Sequence, residues 1–150
     1  VVKERERNIV PVPNRARSRL AIISRALLHL ALTYGRRKRP ANPRRILVAH
    51  HLLLGDTLML TPLLAKLRER FPDAEIVMTV PKAIEPLYRQ HPYGVIAWPF
   101  DPRDPQTIGD MFRQAGFDVA IVPGDNRHSW LAAALRSHWI VAHAADKPAY

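Results

Sequence analysis

The chain has no cysteine. That removes a disulfide framework and any thiolate metal site, and it fits a reducing compartment. A helical zinc site is missing too. Seven His residues are present, but no His-x-x-x-His pair carries the companion Glu that marks such a site. His50 and His51 stand side by side at a strand end, where successive side chains face opposite ways, so they make poor joint ligands. Neither G-x-G-x-x-G nor G-x-x-x-x-G-K-[ST] occurs, which argues against a dinucleotide fold motif and a P-loop. Long apolar runs are also lacking. The best candidate, within residues 15–34, is interrupted by Arg25 and falls short of the roughly 20 residues a membrane span needs. No small-residue cleavage site of a secretory signal follows it.

What the chain has is basic charge, unevenly placed. The 150 residues carry a net charge of +10. Residues 1–45 hold 13 Lys and Arg against 2 acidic residues, while residues 46–150 hold 10 against 11. The basicity belongs to an N-terminal extension, and the rest is nearly neutral. Such asymmetry points to a tail that meets an anionic surface.

Within the extension, residues 1–14 are polar with Pro11 and Pro13, and read as extended or disordered. Residues 15–34 predict a helix. Leu20, Ile23, Leu27, Leu30 and Tyr34 share a broad apolar face, with Arg25, His29 and Thr33 opposite. Arg15, Arg17 and Arg19 precede this helix; Arg36, Arg37, Lys38 and Arg39 follow it. Two readings stand side by side. The helix lies in a membrane interface, with residues 15–39 drawn to anionic lipid; or it packs on the rest of the protein with solvated Arg flanks. Nucleic acid fits less well, because the basic clusters have no interleaved aromatics and no binding motif. Residues 35–43 read as a basic, proline-containing linker.

The organising stretch is residues 45–64. Ile46 to Ala49 is a short apolar run suited to a strand buried on both faces. Leu60, Leu63, Leu64, Leu67 and Phe71 then recur at helical spacing, with Lys66, Arg68, Glu69 and Arg70 on the other side. Gly55 reads as the tight turn between them. Asp56 sits where a helix begins, either as a cap for the first free N–H groups or as a carboxylate aimed at a ligand. Pro62 suits the first position of a helix capped by Thr61. The helix therefore starts at Asp56 with a kink, or at Thr61.

Strand and helix signals then alternate. Strands are expected at 75–80, 94–98, 117–122 and 139–142. A short helix or turn is expected at 81–90 with Ile84, Leu87 and Tyr88 inward. Helices follow at 106–115, with Ile108, Met111 and Phe112 apolar, and at 129–136. This alternation predicts an α/β fold, a Rossmann-like doubly wound parallel sheet of order 3-2-1-4-5, carrying an N-terminal basic amphipathic helix. Its switch point falls between strands one and four. The loops His50 to Asp56 and Pro123 to His128 would meet there. Asp56, Asp125, Asn126, Arg127 and His128 would share one crevice, a polar set suited to sugar hydroxyls and phosphates. An ordinary loop with Asx turns and a cap at Asn126 or Ser129 accounts for the second group equally simply.

The run ILVAHHLLLGDTLMLTPLLAKLRERFPDAEI resembles the start of glycosyltransferase family 9, the lipopolysaccharide heptosyltransferase group. The residues that carry the resemblance are Gly55, Asp56, Thr61, Pro62, Leu63, Arg68, Phe71, Pro72, Ala74 and Ile76, and it extends over about residues 45–150. It implies the N-terminal acceptor half of a two-domain GT-B enzyme, with 1–44 as an extension, 45–150 as the acceptor domain, and a donor domain missing from a truncated chain. It implies inverting transfer of a heptose-like sugar from a nucleotide-sugar to a lipid-linked or polysaccharide acceptor, with no metal and no other cofactor. It places the general base on Asp56. The expected substrate contacts are His50, Gly55 and Thr61 on the first side, and Asn126, Arg127, His128 and Ser129 on the second, with His128 facing acidic groups of the acceptor. The expected location is cytoplasmic or peripheral at the inner membrane. Where the family has an Arg and small polar residues after the first strand, this chain has His50, His51, Leu52 and Leu53. Its counterpart of the family's Q-G-N-x-[KR]-S reads Pro123-Gly124-Asp125-Asn126-Arg127-His128-Ser129. Two other functions stay open: a non-catalytic sugar- or nucleotide-binding module of the same fold, and a membrane-tethering protein acting through residues 1–45.

Overall fold

The computed structural model describes residues 15–51, 53–102, 104–124 and 128–143. Five strands form one sheet: β1 (Arg45–Val48), β2 (Glu75–Val80), β3 (Val95–Pro99), β4 (Phe117–Val122) and β5 (Ser137–Ala142). Every pairing is parallel and the order is β3-β2-β1-β4-β5. This is a Rossmann-like α/β sheet, in the order that the alternation predicts. The helices are α1 (Arg15–Thr33), α2 (Leu54–Met59), α3 (Thr61–Arg70), α4 (Pro105–Arg113) and α5 (Ser129–Ala134).

Alternation along the strands feeds two cores. On one face Ile46, Val48, Ile76, Met78, Val80 and Val95 pack with Leu64 and Leu67 of α3 and with Ile84 and Tyr88. On the other, Leu47, Ala49, Val77, Ala120 and Val122 pack with Ile22 and Ala26 of α1, Ile108 and Met111 of α4, and Leu131 to Leu135. Strands buried on both faces are why these segments read as continuous apolar runs. In the 81–90 segment Ile84 and Tyr88 are buried as expected, but Leu87 is exposed, because Glu85–Tyr88 is a single 3-10 turn with room to turn only part of itself inward.

Helix α1 packs with a different face from the one its Leu spacing predicts: of that stripe Leu30 alone lies against the core. Ser18, Ile22 and Ala26 are buried, whereas Leu20 is 73% exposed, Leu27 53% and Tyr34 89%. Two forces decide this. Ser18 and Ala26 are small enough to let α1 approach the Ala132–Ala134 surface of α5. Arg25 and His29 also have inward partners. Arg25 Nε donates to the carbonyl of Ala134 at 3.1 Å, with its guanidinium 4.6 Å from the centre of the Phe112 ring. The His29 ring lies 3.2 Å from the Ser137 carbonyl. A cation at a helix C-terminus meets free carbonyls and the negative end of the dipole.

Residues 54–70 form two helices broken at Leu60. The first begins two residues before Asp56, so Asp56 is not its cap. The second is capped at Leu60, with Thr61 as its first residue and Pro62 next, so Thr61 is not a cap either. Proline lacks the N–H needed to continue α2 but suits the first turn of α3. Gly55 is helical rather than a tight turn, and an added Cβ there would meet no atom within 4 Å.

Arg68 ties α3 to the turns before β2 and β3. Its guanidinium donates to the carbonyls of Pro72, Ala74, Tyr93 and Gly94 at 2.6, 3.0, 2.8 and 3.1 Å. Two of those carbonyls belong to residues with left-handed φ, Tyr93 at 57° and Gly94 at 66°. A non-glycine residue held there costs roughly 1–2 kcal/mol, which the charged hydrogen bonds offset. Arg68→Ala is expected to lower unfolding free energy by about 2–3 kcal/mol, since it strips charged donors from four carbonyls. Urea unfolding of both proteins at neutral pH measures this, and a change below about 0.5 kcal/mol, typical of an ordinary surface position, would contradict it.

Candidate functional site

The C-terminal ends of β1 and β4 are adjacent at the switch point of the sheet, where an open α/β sheet offers its ligand crevice. The chain leaves β1 through Ala49, whose N–H donates to the Ile121 carbonyl at 2.8 Å. At His50 the partner changes from β4 to β2. The His50 N–H donates to Thr79 Oγ1 at 2.8 Å, and the Thr79 hydroxyl donates back to the His50 carbonyl at 2.8 Å. One buried hydroxyl thus satisfies both main-chain groups of His50, the second residue past β1.

The His50 side chain is fully buried and meets Thr57 of α2, with Nε2 2.7 Å from Thr57 Oγ1. The Thr57 hydroxyl donates its one proton to the Leu53 carbonyl at 3.0 Å. Its oxygen is then the acceptor toward His50, which assigns the proton to Nε2. Nδ1 is buried with no hydrogen-bond partner among the described residues. This is a neutral imidazole. Burial pulls its pKa down from 6.5 to about 4; His128 lowers it further, Asp56 opposes, and His51 adds a smaller lowering.

Thr57 inward means Asp56 outward. Asp56 lies in the first turn of α2, exposed, and accepts no hydrogen bond among the described residues. An acid in that turn suits the helix dipole. It is surrounded by exposed apolar side chains: Leu53 is 80% exposed and Met59 79%, with Leu54 and Leu58 about half exposed. His51 turns to the other side, its ring edge-on to Phe100 at 5.4 Å and 6.0 Å from the ring of His128. Burial lowers the His51 pKa, and Asp101 opposes this. His50 and His51 therefore do face different neighbours, as their adjacency in a strand end predicts.

Of the expected site residues, the structure brings together His50, Gly55, Asp56 and His128. His128 is the residue before α5 and occupies its cap position, without a side-chain cap bond; Ser129 is half-buried as the first residue of that helix, so it is not the cap. Thr61 is half-buried at the start of α3, beyond the Leu60 break. Asp125, Asn126 and Arg127 lie outside the described residues. Thr57 and Thr79, which fix the geometry, were not singled out by sequence reasoning; the only trace is a polar residue at the end of each apolar or loop run. Among the described residues no three His, Asp or Glu side chains are grouped to hold a metal ion. A pocket of about 370 Å³, lined by Asn42, Pro43, Arg44 and Phe71 to Ala74, is at the opposite edge of the sheet, before β1 and β2. It is remote from the His50 and Asp56 group and carries no comparable set of titratable side chains.

With this geometry in hand, the fold has a solved counterpart. It is similar to the crystal structure of a glycosyl transferase family 9 protein from Veillonella parvula, at a TM-score of 0.55 and 20% identity, with 67% of this chain and 32% of that chain covered. The likeness is one of fold. This chain spans about a third of the length of that structure. No family model matches the sequence, and no curated protein matches it.

Two expectations follow from the local geometry. His50 is held neutral in the folded chain, so the unfolded chain binds more protons between pH 6.5 and about 4. Stability is therefore full above the unfolded value and declines as pH falls through that window. Between about pH 7.5 and 5 the His50 share of the loss is about 2 kcal/mol. His29 and His51, whose pKa values burial also lowers, add to it in the same direction. His50→Gln, whose amide keeps a donor toward Thr57, should flatten this slope in urea titrations at the two pH values; an unchanged slope would contradict the buried neutral ring. Separately, Gly55→Ala has open space for its Cβ, and should raise stability by about 0.5–1 kcal/mol by helix propensity. A loss of stability in the same assay would show that the backbone there is not helical.

Proposed function

We propose that this chain is the acceptor-side part of an inverting glycosyltransferase of the GT-B type, with Asp56 as its general base. The observation that carries the reading is the placement of Asp56. Its carboxylate is exposed at the switch point of a Rossmann-like sheet and held outward by the buried Thr57 to His50 contact, on a fold similar to that of a glycosyl transferase family 9 structure. An acid whose sole task were to cap α2 would stand before the helix; Asp56 stands inside its first turn.

In the proposed step, Asp56 takes the proton of an acceptor hydroxyl as that oxygen attacks the anomeric carbon of a nucleotide-sugar. The new C–O bond forms on the face opposite the leaving group. The bond from the anomeric carbon to the nucleotide phosphate breaks, and its electron pair departs with the phosphate. The configuration inverts and charge and protons balance, with Asp56 left protonated. No metal is required in this scheme. Gly55, with no side chain beside Asp56, leaves room for the acceptor, and its helical position gains nothing in stability from being glycine. On the opposite loop His128 faces the acceptor, with Arg127, Asn126 and Ser129 assigned by the family resemblance alone. The donor nucleotide would be held by a second domain. That division agrees with a chain that spans a third of the similar structure. The sugar is read as heptose-like and the acceptor as a lipopolysaccharide or another cell-surface glycan, handled at the cytoplasmic face of the inner membrane; both come from the resemblance.

The test uses the complete open reading frame that contains these residues, with a panel of nucleotide-sugars and glycolipid acceptors. Asp56→Asn should reduce transfer by roughly 10²- to 10⁴-fold, the range for a lost general base, while acceptor affinity changes by no more than a few-fold. Full transfer by Asp56→Asn would remove Asp56 as the base. Absence of transfer by the wild type, with acceptor binding retained, would favour a sugar-binding module of the same fold.

A further inference from the structure

Helix α1 is turned inside out for a helix bordered by water. A helix on the surface of a globular protein directs its apolar stripe to the core and its charges outward. Here the one charged residue between Arg19 and Arg36 is Arg25, and it faces inward onto the Ala134 and Phe112 carbonyls. The exposed large side chains along the outside are Leu20, Ile23, Leu27, Leu28, Leu32 and Tyr34. Together they give the outer side an apolar stripe from Leu20 to Tyr34.

The ends of this apolar stripe are cationic. Residues 15–44 contain nine Lys and Arg and no Asp or Glu. Arg17 and Arg19 are exposed at one end, and Arg36, Lys38 and Arg39 at the other. Arg37 folds back to donate to Thr33 Oγ1 at 3.0 Å. No helix among the described residues is long and apolar enough to cross a membrane. An apolar stripe lying between cationic ends, with its other face fixed to a protein core, complements one kind of surface: a bilayer interface that is anionic at the headgroups and apolar beneath. Nucleic acid shares the anionic chemistry but offers nothing to the outward Leu side chains.

We propose that α1 docks the domain on an anionic phospholipid surface. The helix lies in the interface plane, with Leu20, Leu27, Leu28 and Leu32 inserted below the headgroups. The flanking Arg and Lys side chains extend their heads to the lipid phosphates. The proposal does not rest on the transferase reading, since it uses no residue of the crevice.

Co-sedimentation with vesicles tests it, comparing phosphatidylcholine alone with equal parts phosphatidylglycerol and phosphatidylcholine. The wild-type chain should bind the anionic vesicles and not the neutral ones, and lose binding at about 1 M salt, where the screening length is near 3 Å. Leu20→Ser with Leu27→Ser should weaken binding at least tenfold. Arg36→Gln, Lys38→Gln and Arg39→Gln together should weaken it on the order of 10- to 100-fold. All these side chains are exposed, so circular dichroism and the unfolding midpoint should match the wild type in each variant. Absence of vesicle binding by folded wild-type protein would overturn the proposal. Binding that neither set of variants weakens would overturn it as well. A concentration-dependent dimer in light scattering that the Leu variants abolish, without vesicle binding, would instead assign the face to a second copy of the chain.

Discussion

The constraint on which the rest of this structure depends is the double burial of β1. Its central place, between β2 and β4, leaves no backbone group free to meet water and requires apolar side chains on both faces. Parallel neighbours cannot be joined by tight turns, so each connection must cross a face of the sheet as a helix or loop. The helices then fall on both sides, α3 over one core and α1, α4 and α5 over the other. The same requirement places the ends of β1 and β4 side by side with their following loops diverging. The crevice is thus a by-product of satisfying the central strand. Chemistry-bearing residues collect there because it is the one edge where the backbone must leave the sheet in two directions.

Helix α1 shows a different balance. Fully burying a Leu side chain is worth about 1.5–3 kcal/mol, so a packing that leaves several Leu residues outside looks unfavourable. Against it stand side-chain donors, the Arg25 guanidinium and the His29 ring, that serve carbonyls at the end of α5 and the start of β5. A carbonyl buried there without a donor costs about 1–3 kcal/mol. The small residues Ser18 and Ala26 also bring the helix close enough for Ile22 to join the core. The inward set therefore satisfies groups that cannot be satisfied otherwise. The outward Leu residues are left available to whatever apolar phase the domain meets, and their exposure is a property of the fold rather than a failure to pack.

How far the sequence could be read follows from these two cases. The bounds of β2 and β4 were legible because each is a mostly apolar run between turn residues, with Glu75 and Thr79 the polar positions in one and Asp118 in the other. Strand order was legible because alternation and handedness admit few arrangements. The packed face of α1 was not, because periodicity finds apolar stripes without telling which of two directions faces protein. Carbonyl partners for Arg25 and His29 are supplied by segments 87 to 109 residues away. The break at Leu60 was half visible in Pro62. The role of Gly55 was misread because a glycine beside an Asp reads as a turn, whereas in the fold it continues a helix. The crevice was legible as two loops, but Thr79 was hidden: a hydroxyl that satisfies both backbone groups of His50 is a tertiary contact with no local pattern.

That hidden hydroxyl bears on how the site is held. Asp56 makes no hydrogen bond of its own among the described residues, yet the base proposed for it must be placed to within a fraction of an ångström to act. Its position is inherited. Thr79 fixes the backbone of His50, the buried His50 ring fixes Thr57, and Thr57 fixes the rotation of α2, which turns the preceding residue outward. The neutral ring suits that chain. Protonation would leave the Nε2–H donation to Thr57 in place but would add a buried charge and an N–H at Nδ1, which has no acceptor among the described residues. An imidazole serves here as a rigid spacer that donates at one end, and its low affinity for a proton is what keeps the spacer in one state across the neutral range. The carboxylate is thereby left exposed in the crevice, while its placement is set by the buried residues His50, Thr57 and Thr79.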